Sequence, residues 1–387
     1  MNILLLAPHP FYQERGTPIA VNLLLQALSK LGHTVDVLTY HEGTDVSYPG
    51  VTLHRIRKPL WVRNVPPGPS LKKILCDLIM FPKALSMASR KPYDLVHAIE
   101  ESVYMAMWIR RRTGIPYLYD MDSSLARQVA EKFSWLGFLL PLMTRLERAA
   151  IRDALAVVPV CDALARIAKE DGANKVVLLR DISLLSSTSP EDLELIRTLV
   201  PRSESPCFMY VGNLETYQGI DLMLDSFAEF QKAGNPARLV IAGGKEADIQ
   251  RYREKAKKLG IGKSTLFLGP QPVNRMSALF DVSDVLVSPR IKGNNTPMKI
   301  YSYLASGKAI LATALPTHTQ VLTPEVALLV PPDTLSFAAA MKALAKDDSL
   351  RLKLAARAKK LAQTCHSQES FQKAVEELYA GMPEALT

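Results

Sequence analysis

Short continuous runs of Val, Ile and Leu recur along the chain, each bounded by turn residues and followed by a stretch with helical apolar spacing. In the first half they are "NILLLAP", "TVDVLTY", "VTLHRI", "DLVHAI", "PYLYDMD", "ALAVVPV" and "KVVLLRD". Helical periods fall at 20–31, 71–89 and 103–112, and a long one ends near Arg152. Strands without polar alternation, separated by helices, predict a parallel sheet covered on both faces. The pattern then restarts with "CFMYVGNL", "ARLVIAGG", "STLFLGP", "VLVSPRI", "AILATAL" and "VALLVPP". The expected fold class is therefore α/β, with two doubly wound, Rossmann-like domains. Their expected extents are 1–182 and 207–365, joined by a Ser/Pro/Glu-rich linker at 183–206 that contains one short helix. A C-terminal helix within 366–387 is placed to cross back to the first domain. Two such domains face each other across a cleft, and ligands sit beyond the carboxyl ends of the strands.

With 387 residues, 48% apolar and 22% charged, the chain has the size of two globular domains. The longest apolar runs, such as "LGFLLPLM" broken by Pro141, are too short to span a bilayer. "MNILLLAPHP" reads as a first buried strand and not as a signal peptide. Four scattered cysteines form neither a metal spacing nor a disulfide framework, which fits a reducing cytoplasm. The net charge of +9 is concentrated: nine Lys and Arg lie between Arg55 and Lys91, with Asp77 the only acid among them. No nucleic-acid-binding motif accompanies them, so nucleic acid is not expected as a partner and an anionic membrane surface is. The segment 72–91, with "ILCDLIMF" inside it, is the stronger membrane candidate. "EKFSWLGFLLPLMTRLERAAIRD" reads first as a core helix and second as an interfacial one.

Candidate chemistry gathers in "SPRIKGNNTPMKIYSYLASGKAILAT", 288–313. A strand feeds a polar loop and then a helix, whose first N–H groups and dipole favour an anion. Arg290 and Lys299 flank this loop and Lys292 lies within it. Lys299 is at a helix start, where a cation is unfavourable unless an anion is present. Asn294, Asn295, Thr296 and Ser302 offer neutral donors and acceptors, although turn formation or local capping explains the same residue types. In the first domain, Gly16 and Thr17 open a helix. His97 and Glu100 follow a strand and join Asp122 as a candidate acceptor-binding and catalytic cluster; His97 alone reads equally as a buried structural histidine. Glu147, on the long helix, fits a structural role at least as well as a catalytic one.

The ordered series "LSKLGHTVDVLT", "YDLVHA", "LERAAIRDALAVVPV", "YVGNLETYQGIDLMLDSF", "LVIAGG", "LFLGP", "DVLVSPR" and "KIYSYLASGKAILAT" resembles the GT-B glycosyltransferases, and among them the retaining family four. The resemblance implies a nucleotide-sugar donor held by the second domain and an acceptor held by the first. It places Gly212, Asn213 and Gln218 after the "VG" strand at the diphosphate. It also marks departures. The two usual glutamates are Asn294 and Ser302, the usual Arg and Lys are Asn213 and Gln218, and the usual His is Asp122.

For such a family the departing phosphate accepts the acceptor's proton, which calls for positive charge and N–H donors around the leaving group. The expected protein is a metal-independent retaining hexosyltransferase that needs no cofactor. It would move a sugar from a UDP- or GDP-linked donor to a lipid-linked or cell-envelope glycan. Its expected place is the cytoplasm, peripheral at the inner face of the membrane, in polysaccharide biosynthesis. The alternative is a GT-B-fold binding subunit that has lost catalysis.

Overall fold

The computed structural model describes residues 1–13, 16–66, 68–126, 138–183, 185, 187–293 and 295–382. The chain forms two compact units, Met1–Arg180 together with Phe371–Thr387, and Asp181–Ser370.

In the first unit, β1 (Asn2–Ala7), β2 (Thr34–Thr39), β3 (Val51–Arg55), β4 (Leu95–Ile99), β5 (Tyr117–Met121) and β6 (Ala156–Pro159) form one sheet in the order β3-β2-β1-β4-β5-β6, all parallel. Side chains of period two divide between its faces. Leu4, Leu6, Val96, Ala98 and Tyr119 pack under α2 (Leu71–Arg90), α3 (Val103–Thr113), α4 (Leu140–Asp153) and α5 (Asp162–Glu170), through Met80, Ile109, Ile151 and Leu164. On the other face His97 meets Tyr379 of the last helix, Gln368–Ala380. The Nε2 of Gln372 in that helix donates to the Ala27 carbonyl of α1 (Gly16–Lys30).

"KVVLLRD" is the one expected strand that does not become a full one. Only Val176 bridges Val157, and the N–H groups of Val177 and Leu179 bond the carbonyls of Val157 and Pro159. Beyond it the chain leaves the sheet at Arg180, whose guanidinium donates to both carboxylate oxygens of Asp162.

The second unit repeats the topology. Strands β7 (Cys207–Val211), β8 (Arg238–Ala242), β9 (Thr265–Gly269), β10 (Val285–Ser288), β11 (Ala309–Thr313) and β12 (Leu328–Val330) lie in the order β12-β11-β10-β7-β8-β9. One face buries Phe208, Tyr210, Ile241 and Val287 against α7 (Ile220–Lys232) and α12 (Thr334–Lys346). The opposite face buries Met209, Val240 and Leu286 with Ile300, Leu304 and Ala358. The helix expected between the domains is α6 (Pro190–Leu199), capped by Ser189, whose hydroxyl accepts the Asp192 N–H. In each sheet the strand order reverses between two central strands, β1 and β4 in the first and β7 and β10 in the second. That switch point is where doubly wound sheets leave a crevice at the strands' carboxyl ends.

Among the described residues, no helix is long and apolar enough to cross a membrane.

Candidate functional site

The loops after β7 and β10 meet at the switch point of the second sheet. Gly212 follows β7 at φ 149°, and its N–H bonds the Ala242 carbonyl at the end of β8. The Tyr210 hydroxyl donates to the Asn213 carbonyl at 2.6 Å, fixing the turn. A short 3-10 turn, Thr216–Gln218, is closed by Gly219 at φ 75°. A Cβ on Gly219 would lie 1.9 Å from the Pro289 carbonyl oxygen, so only glycine allows the two loops this approach. The Ile291 N–H completes the seam by donating to the Tyr217 carbonyl at 3.0 Å.

Two cations face this seam. The Lys299 ammonium lies 3.9 Å from the centroid of the Tyr210 ring and 3.4 Å from Gln218 Oε1. The Arg290 guanidinium lies 5.0 Å from the centroid of Tyr217 and donates to the carbonyls of Lys292 and Asn295. Neither forms an ion pair among the described residues; each is met by carbonyl, amide and aromatic groups instead. Burial, with repulsion from Arg290 added, holds the Lys299 ammonium well below the usual lysine range. Burial lowers the Arg290 guanidinium too, against a smaller opposing effect of the two tyrosines. Two desolvated like charges with no acid beside them are unfavourable until an anion arrives.

The helix start contributes less than the sequence pattern suggests. α10 (Lys299–Ala305) has seven residues, and its Ile300 and Tyr301 N–H groups already bond the carbonyls of Pro297 and Met298. The positive character of the loop thus comes from side chains more than from free helical amides. His318, in the short helix α11 (Pro316–Thr319), holds the loop from below. Its Nδ1 lies 2.8 Å from the Thr313 carbonyl and so carries the proton, which leaves Nε2 to accept from the Ser288 hydroxyl at 2.9 Å. Thr313 and Thr317 hydroxyls donate to the carbonyls of Arg290 and Asn295. Burial, reinforced by Lys299 and Arg290, pushes the His318 imidazole down to about 3, so it is neutral at ordinary pH.

The other expected donor residues are spread around this point. Thr296 is buried, and its hydroxyl has no hydrogen-bond partner among the described residues. Ser302 is buried on α10, Lys292 is exposed, and Asn294 lies outside the described residues. Gly212 and Asn213 line a recess of about 350 Å³ with Gly243, Gly244, Lys245 and Gln271. The Gln271 amide oxygen there is also buried without a partner among the described residues. Sequence reasoning missed Tyr210, Tyr217 and His318: aromatic residues in a strand or turn read as core, and nothing local marks a buried histidine as a loop support.

In the first unit, Gly16 and Thr17 begin α1, with Gly16 exposed. His97 is fully buried. Its Nδ1 lies 2.6 Å from the Tyr379 hydroxyl and its Nε2 3.1 Å from Asp120 Oδ2, with the Tyr379 ring stacked alongside at 10°. Through these contacts it positions Asp120. Asp122 lies two residues further on, beyond the end of β5. Glu100 has φ 48° and belongs to a different group. The Lys73 ammonium is 3.7 Å from Glu100 and 2.5 Å from Glu101, and the Tyr40 hydroxyl donates to Asp77 at 2.6 Å. Burial is the largest influence raising the carboxyls of Glu101 and Asp77, against the pull of Lys73, and neighbouring carboxylates add to it. One ammonium thus faces a group of three acids, Glu100, Glu101 and Asp77. Glu147 clamps the chain after β5 by accepting from the Ser124 hydroxyl and the Leu125 N–H.

The sheet order, the glycine-lined recess and the cationic loop agree with two family models. Residues 192–361 match Glycosyl transferases group 1, and residues 15–181 match the Glycosyl transferase 4-like domain. The chain belongs to the GT-B glycosyltransferases of group 1. It is 23% identical over 319 residues to the sulfoquinovosyl transferase SQD2 of Arabidopsis thaliana, covering 80% of this chain and 58% of that protein. The chain thus spans little more than half the length of that relative. Among solved structures, sucrose-phosphate synthase from Thermosynechococcus elongatus superposes with a TM-score of 0.81 at 18% identity, over 99% of both chains. Anabaena HepE in complex with UDP superposes with a TM-score of 0.74 at 16% identity, over 98% of this chain and 100% of that one.

Proposed function

We propose that this protein transfers a glycosyl residue, with retention, from a UDP- or GDP-linked sugar to a lipid-linked or cell-envelope glycan, without a metal ion. The observation that carries the reading is the pair Lys299 and Arg290, both desolvated and without an acidic partner among the described residues. A diphosphate supplies the missing negative charge, and Arg290 and Lys299 then stabilise it as it leaves. The acceptor hydroxyl's proton passes to the departing phosphate oxygen, so no protein nucleophile is required. The Thr296 hydroxyl and the Gln271 amide oxygen are unspent hydrogen-bonding groups suited to the neutral parts of the donor. HepE, similar in fold, was solved with UDP, which supports a nucleotide as ligand. On the acceptor side, Glu100 and Asp122 follow β4 and β5 at the carboxyl end of the first sheet.

Calorimetric titration with UDP and GDP, followed by donor hydrolysis assays on UDP- and GDP-sugars, tests this directly. Binding of either nucleotide, weakened by Lys299→Met, is the expected result. Absence of binding by both would remove the basis of the proposal. The neutral Asn213 and Gln218, at positions where the family resemblance places cations, favour one second reading: a subunit that binds nucleotide and has lost turnover. Binding without any donor cleavage would select it.

A further inference from the structure

The basic segment expected to meet a membrane is remodelled by the fold. Lys73 points inward to Glu101, Arg55 pairs with Asp45, Lys91 pairs with Asp36, and Lys83 donates to the Arg55 carbonyl. Arg57, Lys58, Arg63 and Lys72 remain exposed around one loop and the first turn of α2. Asp77, the only acid between 55 and 91, is held by the Tyr40 hydroxyl, and none of these four cations forms an ion pair among the described residues.

Between these cations stands an apolar ridge. α2 has two apolar faces. Cys76, Met80, Ala84 and Ala88 enter the core, whereas Leu71, Ile74, Leu75 and Leu78 share the opposite face at helical spacing and are 80, 54, 49 and 67% exposed. The preceding loop extends the ridge with Leu60 at 85% and Trp61 at 96% exposure. Trp61 is held there. Its φ is 69°, and the residues that follow it are pinned down. Glu42 accepts from the N–H groups of Asn64 and Val65, the Lys72 ammonium donates to the Arg63 carbonyl, and the His41 ring contacts the Val62 carbonyl. Val62 and Val65 are buried in the core beneath. Large apolar side chains lifted off a fixed base and ringed by cations are the pattern of an interfacial anchor.

We infer that Leu60, Trp61 and the Leu71–Ile74–Leu75–Leu78 face of α2 insert into the interface of an anionic bilayer, with Arg57, Lys58, Arg63 and Lys72 on its headgroups. Insertion supplies a share of the binding that salt does not screen, and each cation contributes about fivefold in partitioning to an anionic surface. The surface is independent of the sugar-transfer reading, because vesicle binding requires no donor.

The test uses the full chain with phosphatidylcholine vesicles, with and without phosphatidylglycerol, some carrying brominated acyl chains. Tryptophan emission should be quenched by the brominated lipid, and Trp61→Phe should remove most of that quenching while sedimentation with vesicles persists. Leu75→Ser with Leu78→Ser should lower partitioning about tenfold or more on both vesicle types, at unchanged thermal stability and nucleotide affinity. Arg57→Glu with Lys58→Glu should act on the anionic vesicles alone. Vesicle-bound protein with Trp61 unquenched, or a double serine variant that binds like the parent, would overturn the inference. So would self-association abolished by the serine pair without vesicle binding, since the ridge would then belong to a protein contact.

Discussion

The Lys299 ammonium lies 3.4 Å from Gln218 Oε1, across the seam between the loops that follow β10 and β7. A neutral amide meets a cation at a position where the family resemblance leads one to expect a second cation. One ammonium thus stands where its charge bears on the turn after β7, although it is carried by the other loop. Its opposite side is the face of Tyr210, which accepts a cation at modest benefit and brings no negative charge of its own.

Acid should loosen the second unit through His318. Its folded value of about 3 lies below the ordinary histidine value, so between those limits the unfolded chain binds the extra proton and stability falls as pH falls. Lowering the pH from 7 to 5 should cost about 2 kcal/mol from this group alone. Denaturant unfolding at both pH values, in parent and His318→Gln, checks it. The variant is expected to start less stable and to lose less on acidification.

Lys73→Met should destabilise the first unit by about 3–5 kcal/mol, because it leaves Glu100, Glu101 and Asp77 without their common ammonium. Lys72→Met, one position away and exposed, should change stability by less than about 0.5 kcal/mol. Thermal unfolding of the two variants gives the comparison. Equal effects would mean that the inward lysine is not paired as described.

Gly219→Ala should fail to accumulate as folded protein or should lose nucleotide binding, since both the positive φ and the Pro289 carbonyl oppose a Cβ. Gly16→Ala is the matched control, because a Cβ there meets nothing within 4 Å. Soluble yield and unfolding midpoints of the pair decide the point.

Chelation should leave sugar transfer unchanged. On the proposed reading, Arg290 and Lys299 would provide the charge compensation that an ion would otherwise bring. Turnover measured with EDTA, and then with added Mg²⁺ or Mn²⁺, tests it; a requirement for either ion would contradict this account of the leaving group.

Much of the architecture was legible in the chain. Twelve of the thirteen apolar runs became strands, since buried parallel strands carry their signal in continuous Val, Ile and Leu. "KVVLLRD" has the same composition and lies beside β6, but only Val176 forms a bridge, because how far a run pairs depends on where the chain goes next. The site was legible in part. Arg290 and Lys299 stand out by position, whereas the tyrosines beneath them sit in runs that read as core. The direction of Lys73 was not legible either. It lies beside Lys72 in a run of basic residues, and only the helix phase, set by the packing of Cys76 and Met80, turns it inward.

The central claim is that Lys299 and Arg290 await a diphosphate, and calorimetry of UDP and GDP binding to the parent and Lys299→Met tests it most directly. A charge-assisted phosphate contact is worth about 1.5–3 kcal/mol, so the variant should bind roughly tenfold to a hundredfold more weakly. The ligand-free variant should be at least as stable as the parent, having lost a desolvated cation that has no acidic partner among the described residues. Equal nucleotide affinity in the two proteins would contradict the account.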